Sequence, residues 1–289
     1  MFKHTIKKLP KNTHEILVTI PWTTIQAEYV KAFDKLHIGL EMEGFRKGKV
    51  PKPMAEKAIA KQKVYEQLIR DYIPSVYEEI VKTESLKPIV SPEIDLSKAE
   101  ENKDWEIKIT VAEKPEVVLG EYKKKIKEVK EKEKKPDIWV PGKEEVKKEP
   151  NEEVSNQKYL NQILTVLIET IKCEVSDLVI EKELNGRLTR LVDDVQKIGL
   201  TVESYLRSKN TTMDKVKAQY RREIDDMYKL EFILLEIADK ESIKVEKADL
   251  DKLFAGIKEE KERKMAEDNA YMYASVLRKQ KTIDYLTSL

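Results

Sequence analysis

The sequence predicts two folding units of different class: an α+β amino-terminal module, in which an antiparallel sheet carries a helical hairpin, and an all-α, multi-helix carboxy-terminal domain with extended arms. Three observations support this prediction. Apolar residues alternate in short stretches near both ends of residues 1–118, they recur at three- and four-residue spacing between those ends, and only the helical spacing continues over residues 151–289. A chain of 289 residues is also long for one hydrophobic core.

Two strands and two helices are predicted in the first module. Residues 14–20 and 105–111 place apolar side chains at every second position, as half-buried strands do. A first helix is expected over residues 21–40 and a second over about residues 53–81. Pro74 falls inside the second helix, where its ring and its missing amide hydrogen predict a kink.

Residues 119–150 are predicted to form a charged arm and linker. They include the stretch KKKIKEVKEKEKKPDIWVPGKEEVKKEP, in which dense alternating charge, three prolines and a glycine leave too little apolar surface for a separate core. We therefore expect a strand or extended arm that leaves the first module and continues as a linker.

Several helices are predicted in residues 151–289. Ser176 and Thr212 are predicted N-caps, because a hydroxyl oxygen accepts a hydrogen bond from a free amide of the first helical turn. Gly199 is expected to end the helix that begins after Ser176. Two more helices, the fourth and fifth of this region, are expected between about residues 248 and 289. Helices in this number are compatible with open arms or with a closed bundle, and the sequence leaves both open.

Composition excludes several classes of protein. The net charge of +1 argues against a protein that binds nucleic acid over its whole surface, so any such binding needs a local cluster. Cys173 is the only cysteine, which rules out an intramolecular disulfide. No apolar run approaches the ~18 to 20 residues of a membrane span, and none at the amino terminus has the form of a signal peptide. We therefore expect a soluble, cytoplasmic protein without a membrane partner.

Motifs for catalysis or metal binding are not found in the sequence. The three histidines have neither HxxxH spacing nor a nearby cysteine, which makes a zinc site unexpected. GxxxxGK[ST], GxGxxG and GxSxG do not occur. Acidic runs in helical stretches are typical of solvated faces, and Cys173 is interpreted as a small buried apolar residue. We expect no cofactor, no metal and no catalytic residue.

The most distinctive stretch is GFRKGKVP, residues 44–51, between the two helices of the first module. Residues 46–63 carry seven basic side chains and one acidic side chain, a local net charge of +6 that would attract a phosphate backbone. The basic residues are Arg46, Lys47, Lys49, Lys52, Lys57, Lys61 and Lys63, and the acidic one is Glu56. A solvated turn and helix face is the alternative interpretation. The ring of Phe45, held between Gly44 and Gly48, favours an external partner.

These residues resemble the ribosome-docking loop of bacterial trigger factor, a chaperone that meets nascent chains at the exit of the ribosomal tunnel. The stretch from residue 87 to 92 and DWEIKITVAEKPEVVLGEY at residues 104–122 are similar to the closing strands of that family's amino-terminal domain. The resemblance implies contacts with the large ribosomal subunit, both protein and rRNA, and it assigns roles to seven residues. Docking contacts are implied for Phe45, Arg46 and Lys47, an auxiliary phosphate contact for Lys49, and a role in shaping the loop for Gly44, Gly48 and Pro51.

The resemblance further implies an ATP-independent chaperone that shields unfolded nascent polypeptides with residues 151–289, whose client contacts it does not assign. It does not decide whether the free protein forms a homodimer. Typical members insert a prolyl isomerase domain of the FK506-binding type, about a hundred residues long, where this chain has only residues 119–150. We therefore expect peptidyl-prolyl isomerase activity to be absent. The alternatives are a ribosome- or RNA-binding adaptor without chaperone activity, and a prolyl isomerase like the longer family members.

Overall fold

The computed structural model describes residues 2–133, 152–257 and 259–289, and the chain divides after Lys114 into two units, Met1–Lys114 and Pro115–Leu289. Each unit has its own secondary structure and its own buried side chains. A strand-rich amino-terminal region followed by a mostly helical region confirms the predicted order of fold classes.

A four-stranded antiparallel sheet forms the base of the amino-terminal unit, with the strand order β1-β2-β4-β3. The strands are β1 (Lys3–Leu9), β2 (Thr13–Ile20), β3 (Glu93–Lys98) and β4 (Trp105–Ala112). The central pair places Ile16 opposite Ile109, so the alternating apolar residues of β2 and β4 line one face of the sheet. The strands predicted near residues 14–20 and 105–111 are confirmed.

Three helices lie between β2 and β3: α1 (Trp22–Gly39), α2 (Lys52–Ala58) and α3 (Lys61–Thr83). The prediction of one helix over residues 53–81 was wrong, because Ile59 (φ −91°, ψ 111°) and Ala60 (φ −59°, ψ 135°) leave the helical conformation. The break places the side chain of Ile59 in the buried core. Helix α3 continues through Pro74, and a kink at that residue stays a prediction.

The core of this unit lies between one face of the sheet and helices α1 and α3. Its fully buried side chains include Ile16, Ile20, Ile107 and Ile109 from the strands, Ile25 from α1, and Leu68, Ile73 and Ile80 from α3. Because α1 packs on α3 and shares the buried core with the sheet, the chain that connects α1 to α2 starts from a fixed helix.

The carboxy-terminal unit contains eight helices among its described residues, together with a two-stranded antiparallel ribbon. The helices are α4 (Tyr122–Glu133), α5 (Glu152–Thr170), α6 (Asp177–Lys197), α7 (Val202–Ser208), α8 (Met213–Lys240), α9 (Lys247–Ala255), α10 (Glu260–Asp268) and α11 (Ala270–Ser288), and the ribbon pairs β5 (Val117–Val118) with β6 (Lys172–Cys173). Helix α8 contacts α5, α6 and α11, and it contributes the buried side chains of Ile224, Ile233 and Ile237.

Three local predictions for this unit are confirmed. The hydroxyl oxygen of Ser176 accepts a hydrogen bond from the amide of Leu178 (3.3 Å), and that of Thr212 accepts one from the amide of Lys215 (3.4 Å). Gly199 follows the end of α6 with φ +74°. Helix α7 was not predicted, and the expectation of two helices between about residues 248 and 289 was wrong, because the described residues there form three.

The predicted extended arm also needs correction. Over its described part, residues 119–133, the chain forms α4, and the side chains of Leu119, Tyr122, Ile126 and Val129 are buried. Tyr122, Ile126 and Val129 are four and three positions apart in α4, so they form one narrow helical stripe among the charged residues, and Leu119 precedes the helix. The remainder of the predicted linker, residues 134–150, lies outside the described residues.

A cluster of hydrogen bonds at Glu241, directly after α8, connects the end of that helix to α4 and α11. Its carboxylate accepts hydrogen bonds from Tyr122 Oη of α4 (2.7 Å), Lys123 Nζ of α4 (2.8 Å) and Tyr285 Oη of α11 (2.8 Å). The hydrogen bond from Lys123, with those from the two tyrosines, lowers the pKa of Glu241 to about 2 from its ordinary value of 4.5. The first helix after residue 115 is therefore fastened to the end of α8 and to the last helix.

Candidate functional site

Residues 40–51 connect α1 to α2 through two successive tight turns. In each turn the fourth residue donates its amide hydrogen to the carbonyl of the first: Phe45 to Met42 (3.0 Å) and Lys49 to Arg46 (2.9 Å). The third residue of each turn is a glycine in the left-handed region, Gly44 with φ +85° and Gly48 with φ +69°. This position of a type II turn requires a positive φ, which explains why the sequence repeats glycine after four residues.

Gly48 is constrained a second time, by a close approach to α1. A Cβ atom added to Gly48 would lie 2.7 Å from the carbonyl oxygen of Ile38, a backbone atom that cannot rotate away. The amide of Gly48 also donates to the carbonyl of Leu40 (3.1 Å). Gly44, by contrast, has nothing within 4 Å of the equivalent position. The second turn is therefore docked on the end of α1, whereas the first turn extends away from it.

The far end of the loop is held by His37 of α1. Its Nε2–H donates to the carbonyl of Val50 (2.5 Å), and its ring stacks on that of Phe33 with 6.0 Å between ring centroids. Val50 is buried in the core, and the next residue, Pro51, is the N-cap of α2. His37 was not predicted as part of the site, although its position four residues after Phe33 places both rings on one face of α1.

The tip of the loop exposes the residues that the sequence singled out. The side chain of Phe45 is 38% exposed, and Arg46, Lys47 and Lys49 are exposed as well. Within the described part of the chain, neither Arg46 nor Lys49 has an ion-pair partner. The structure thus brings all seven predicted residues into one short loop, with a ring and three cations on the outside.

Lys47 differs from its neighbours because it already has a partner. Its Nζ lies 2.8 Å from Oε1 of Glu41, a residue on the other arm of the same loop. The hydrogen bond and the charge of this pair lower the pKa of Glu41 and raise the pKa of Lys47. Glu41 was missed because the basic cluster was counted from Arg46 onward. Counted over residues 41–63, seven basic residues face three acidic ones, and the local net charge is +4.

The flanking helices carry further positive charge. Lys52 pairs with Asp34 (2.9 Å) and Lys61 with Glu101 (3.0 Å). Lys57 and Lys63 have no acidic partner among the residues that the structure describes. Four of the seven basic residues from Arg46 to Lys63 are therefore not neutralised by a described neighbour, which favours contact with an anionic surface.

The described ranges do not assemble a set of side chains suited to a metal ion. They contain no cluster of three or more histidine, cysteine, aspartate or glutamate side chains that could hold a metal ion. His4 and His14 each contact one carboxylate, Glu84 at 2.8 Å and Glu113 at 2.9 Å, and Cys173 is buried. No helix in these ranges has the length and apolar character needed to cross a bilayer.

A second surface with a distinct character lies on the last three helices. Met265 of α10 is 68% exposed and Tyr271 of α11 is 91% exposed, and the side chain of Met272 is also exposed. Beside them, an open groove of about 390 Å³ is lined by Leu250, Phe254, Ala255 and Ala270, with Lys247, Asp251, Arg263 and Glu267 as its charged residues. Tyr273 packs edge-on against Phe254, with 5.6 Å between ring centroids, so it belongs to the packing of α9 on α11.

Comparison with known proteins gives one consistent result. The family model described as bacterial trigger factor protein matches residues 2–163, and that of the trigger factor carboxy terminus matches residues 143–287. The two matches overlap at residues 143–163, which include the first part of α5, and only the 18 residues 134–151 separate α4 from α5. A domain of about a hundred residues does not fit there, so the FK506-binding-type domain is missing from this position.

Individual relatives and one solved structure agree with the family match. The trigger factor of Desulforudis audaxviator is 38% identical over 121 residues, which are 42% of this chain and 28% of that protein. The trigger factor of Mycolicibacterium smegmatis is 35% identical over 119 residues, which are 41% of this chain and 25% of that protein. The match therefore spans about a quarter of the length of these relatives. A structure from a study of promiscuous substrate recognition in folding and assembly activities of the trigger factor chaperone covers 98% of both chains with a TM-score of 0.64 at 16% identity, which shows a shared fold.

Proposed function

Because the chain belongs to the bacterial trigger factor family, we propose that it is a ribosome-associated, ATP-independent chaperone without the prolyl isomerase domain. In this proposal the loop of residues 44–51 docks on the large ribosomal subunit at the nascent-chain exit. The helical unit, Pro115–Leu289, then shields the emerging polypeptide.

The observation that carries the docking proposal is the fixed and exposed tip of the loop. Two glycine turns and the His37–Val50 hydrogen bond hold the backbone, so little conformational freedom is lost when the tip binds. Arg46 and Lys49 supply cations for RNA phosphates, and the ring of Phe45 supplies a surface for stacking or for an apolar pocket. This combination suits a partner that is built of protein and RNA together.

The exposed residues of α10 and α11 support the chaperone part of the proposal. A chaperone for varied clients needs accessible apolar side chains that are interrupted by charge, so that it binds weakly and does not aggregate. Met265 and Met272 are both exposed, and Met265 lies in a run of lysine, arginine and glutamate residues. Methionine side chains are flexible and polarisable, which lets one surface adapt to different apolar segments.

The docking proposal is tested by co-sedimentation of the full chain with ribosomes. The triple variant Phe45→Ala, Arg46→Ala and Lys47→Ala should no longer co-sediment, because it removes the ring and two of the tip cations. A matched control removes one exposed apolar and two exposed basic side chains in the helical unit, Val118→Ala, Lys124→Ala and Lys125→Ala. Undiminished co-sedimentation of the loop variant contradicts docking through this tip.

The chaperone proposal is tested on an unfolded client that is diluted from denaturant. The full chain and the loop variant should suppress its aggregation equally, whereas Met265→Gln combined with Met272→Gln should suppress it less. If the wild-type chain binds ribosomes but leaves aggregation unchanged even in excess over the client, it is an adaptor and not a chaperone. A proline-limited refolding assay separates the remaining alternative, since an isomerase would accelerate refolding and we expect no acceleration.

A further inference from the structure

The proposed docking tip, formed by Phe45, Arg46, Lys47 and Lys49, contains one cation that already forms an ion pair in the free chain. Lys47 Nζ and Glu41 Oε1 lie 2.8 Å apart, and the two side chains are 62% and 72% exposed. Among the three tip cations, Lys47 alone has an acidic partner within the described part of the chain. The question is what this pair does to the binding of an anionic surface.

The pair follows from the architecture of the loop. The hydrogen bond from the amide of Gly48 to the carbonyl of Leu40 joins the two arms of the loop at their base. Glu41 directly follows Leu40 and Lys47 directly precedes Gly48, so the same bond that shapes the loop sets their side chains side by side. The sequence therefore builds a carboxylate into the docking tip.

We infer that Glu41 restrains docking by competing with the phosphates of the partner for Lys47. This inference rests on the proposed ribosome docking. To reach a phosphate, Lys47 has to leave Glu41, and the freed carboxylate then faces the phosphate as a like charge. Both effects weaken binding.

The restraint is graded, because both side chains are largely exposed and such ion pairs contribute little in water. The expected effect is therefore a change of a few-fold in affinity, not an on–off switch. Since one cation is withheld, fewer counterions are released on docking, and the affinity should depend less steeply on salt.

Glu43 provides a matched control for Glu41. It lies two residues away in the same loop, its side chain is exposed, and it has no cationic partner among the described residues. Glu43→Gln removes the same charge from the same region but leaves the pair with Lys47 intact. The difference between the two variants isolates competition for Lys47 from the general effect of a negative charge near the tip.

The experiment measures the ribosome affinity of the full chain at several salt concentrations, from about 50 to 200 mM, where phosphate contacts lose affinity steeply. Four variants are compared with the wild type: Glu41→Gln, Glu43→Gln, Lys47→Ala, and Glu41→Gln combined with Lys47→Ala. Glu41→Gln should bind about two- to fivefold more tightly than the wild type, with a clearly smaller gain for Glu43→Gln. For Glu41→Gln, the plot of log affinity against log salt should be steeper than that of the wild type by roughly 0.7 to 0.9, the slope of one added phosphate contact.

The double variant decides the mechanism. In the Lys47→Ala background, Glu41→Gln should add no more than Glu43→Gln adds to the wild type. Equal gains for the two glutamine variants, or a gain from Glu41→Gln that persists undiminished without Lys47, overturn the restraint while leaving docking intact. A wild-type chain that does not bind ribosomes at all overturns the proposed docking itself, so the two failures are distinguishable.

Discussion

Replacing each loop glycine by alanine gives two matched perturbations of the docking tip. Gly44 and Gly48 both have a positive φ, and both occupy the third position of a four-residue turn. They differ in surroundings: an added Cβ meets open space at Gly44 but lies 2.7 Å from the carbonyl oxygen of Ile38 at Gly48. The pair of variants therefore separates the cost of the left-handed backbone from the cost of the close approach.

The magnitudes follow from these geometries. Alanine in the left-handed region costs about 1–2 kcal/mol, and both variants carry this cost. At Gly48 the added carbon and a backbone oxygen have to separate by roughly half an ångström or more to reach ordinary contact. That movement breaks the hydrogen bonds of Gly48 to Leu40 and of Lys49 to Arg46, each of which contributes about 1 kcal/mol. We expect a total of about 3–4 kcal/mol for Gly48→Ala and about 1–2 kcal/mol for Gly44→Ala.

Hydrogen exchange of the Gly48 and Lys49 amides measures the loop directly, and ribosome affinity measures its consequence. Both amides should exchange much faster in Gly48→Ala than in Gly44→Ala, and docking should weaken by at least tenfold more, since about 1.4 kcal/mol corresponds to a factor of ten. Circular dichroism serves as the control that the remaining fold is unchanged. Equal exchange rates and equal affinities in the two variants would show that the approach to Ile38 does not shape the tip.

Three further predictions concern the support of the loop and the helical unit. His37→Phe keeps a ring beside Phe33 but removes the hydrogen-bond donor to Val50, so ribosome affinity should fall and the loop amides should exchange faster. His37→Gln can still donate, so its ribosome affinity and amide protection should lie between those of His37→Phe and the wild type. Ile126→Ala should destabilise the helical unit by about 2–5 kcal/mol in chemical denaturation, because this fully buried side chain of α4 leaves a cavity; an unchanged midpoint would mean that α4 is not part of that core. Glu241→Gln should lower the denaturation midpoint above pH 5, and this difference from the wild type should disappear as the pH falls toward about 2. The reason is that a carboxylate with a depressed pKa stabilises the folded state above its unfolded pKa and no longer does so once it is protonated. A difference that is constant with pH would contradict the role of the charge.

The regular elements were predictable where a local pattern decides them. The strands near residues 14–20 and 105–111 follow from strict alternation, and the caps at Ser176 and Thr212 follow from one hydroxyl before a helical stripe. The loop of residues 44–51 was predictable in position because its glycines mark turns. Each of these features depends on residues that are neighbours in sequence.

The missed features depend on tertiary contacts or on a weak stripe. The break at Ile59 has no glycine or proline to mark it, and it exists because the core accepts the side chain of that residue. Helix α4 was missed because of its charge density, since only three of its residues, Tyr122, Ile126 and Val129, are buried apolar side chains among many charged ones. His37 and Glu41 enter the site through contacts across the loop, with Val50 and Lys47, that no spacing rule specifies.

The docking tip combines a rigid backbone with few attractive groups, and this combination has a consequence for how long the protein stays bound. A fixed backbone loses little entropy on binding, so even a small contact can be specific. One ring and three cations bury little surface, however, and Glu41 occupies one of those cations. If the chain docks on the ribosome as proposed, rapid release follows from the same loop that provides recognition. The proposed docking combines recognition with rapid release, and in this loop the two properties come from separate features, the glycine turns and the charges.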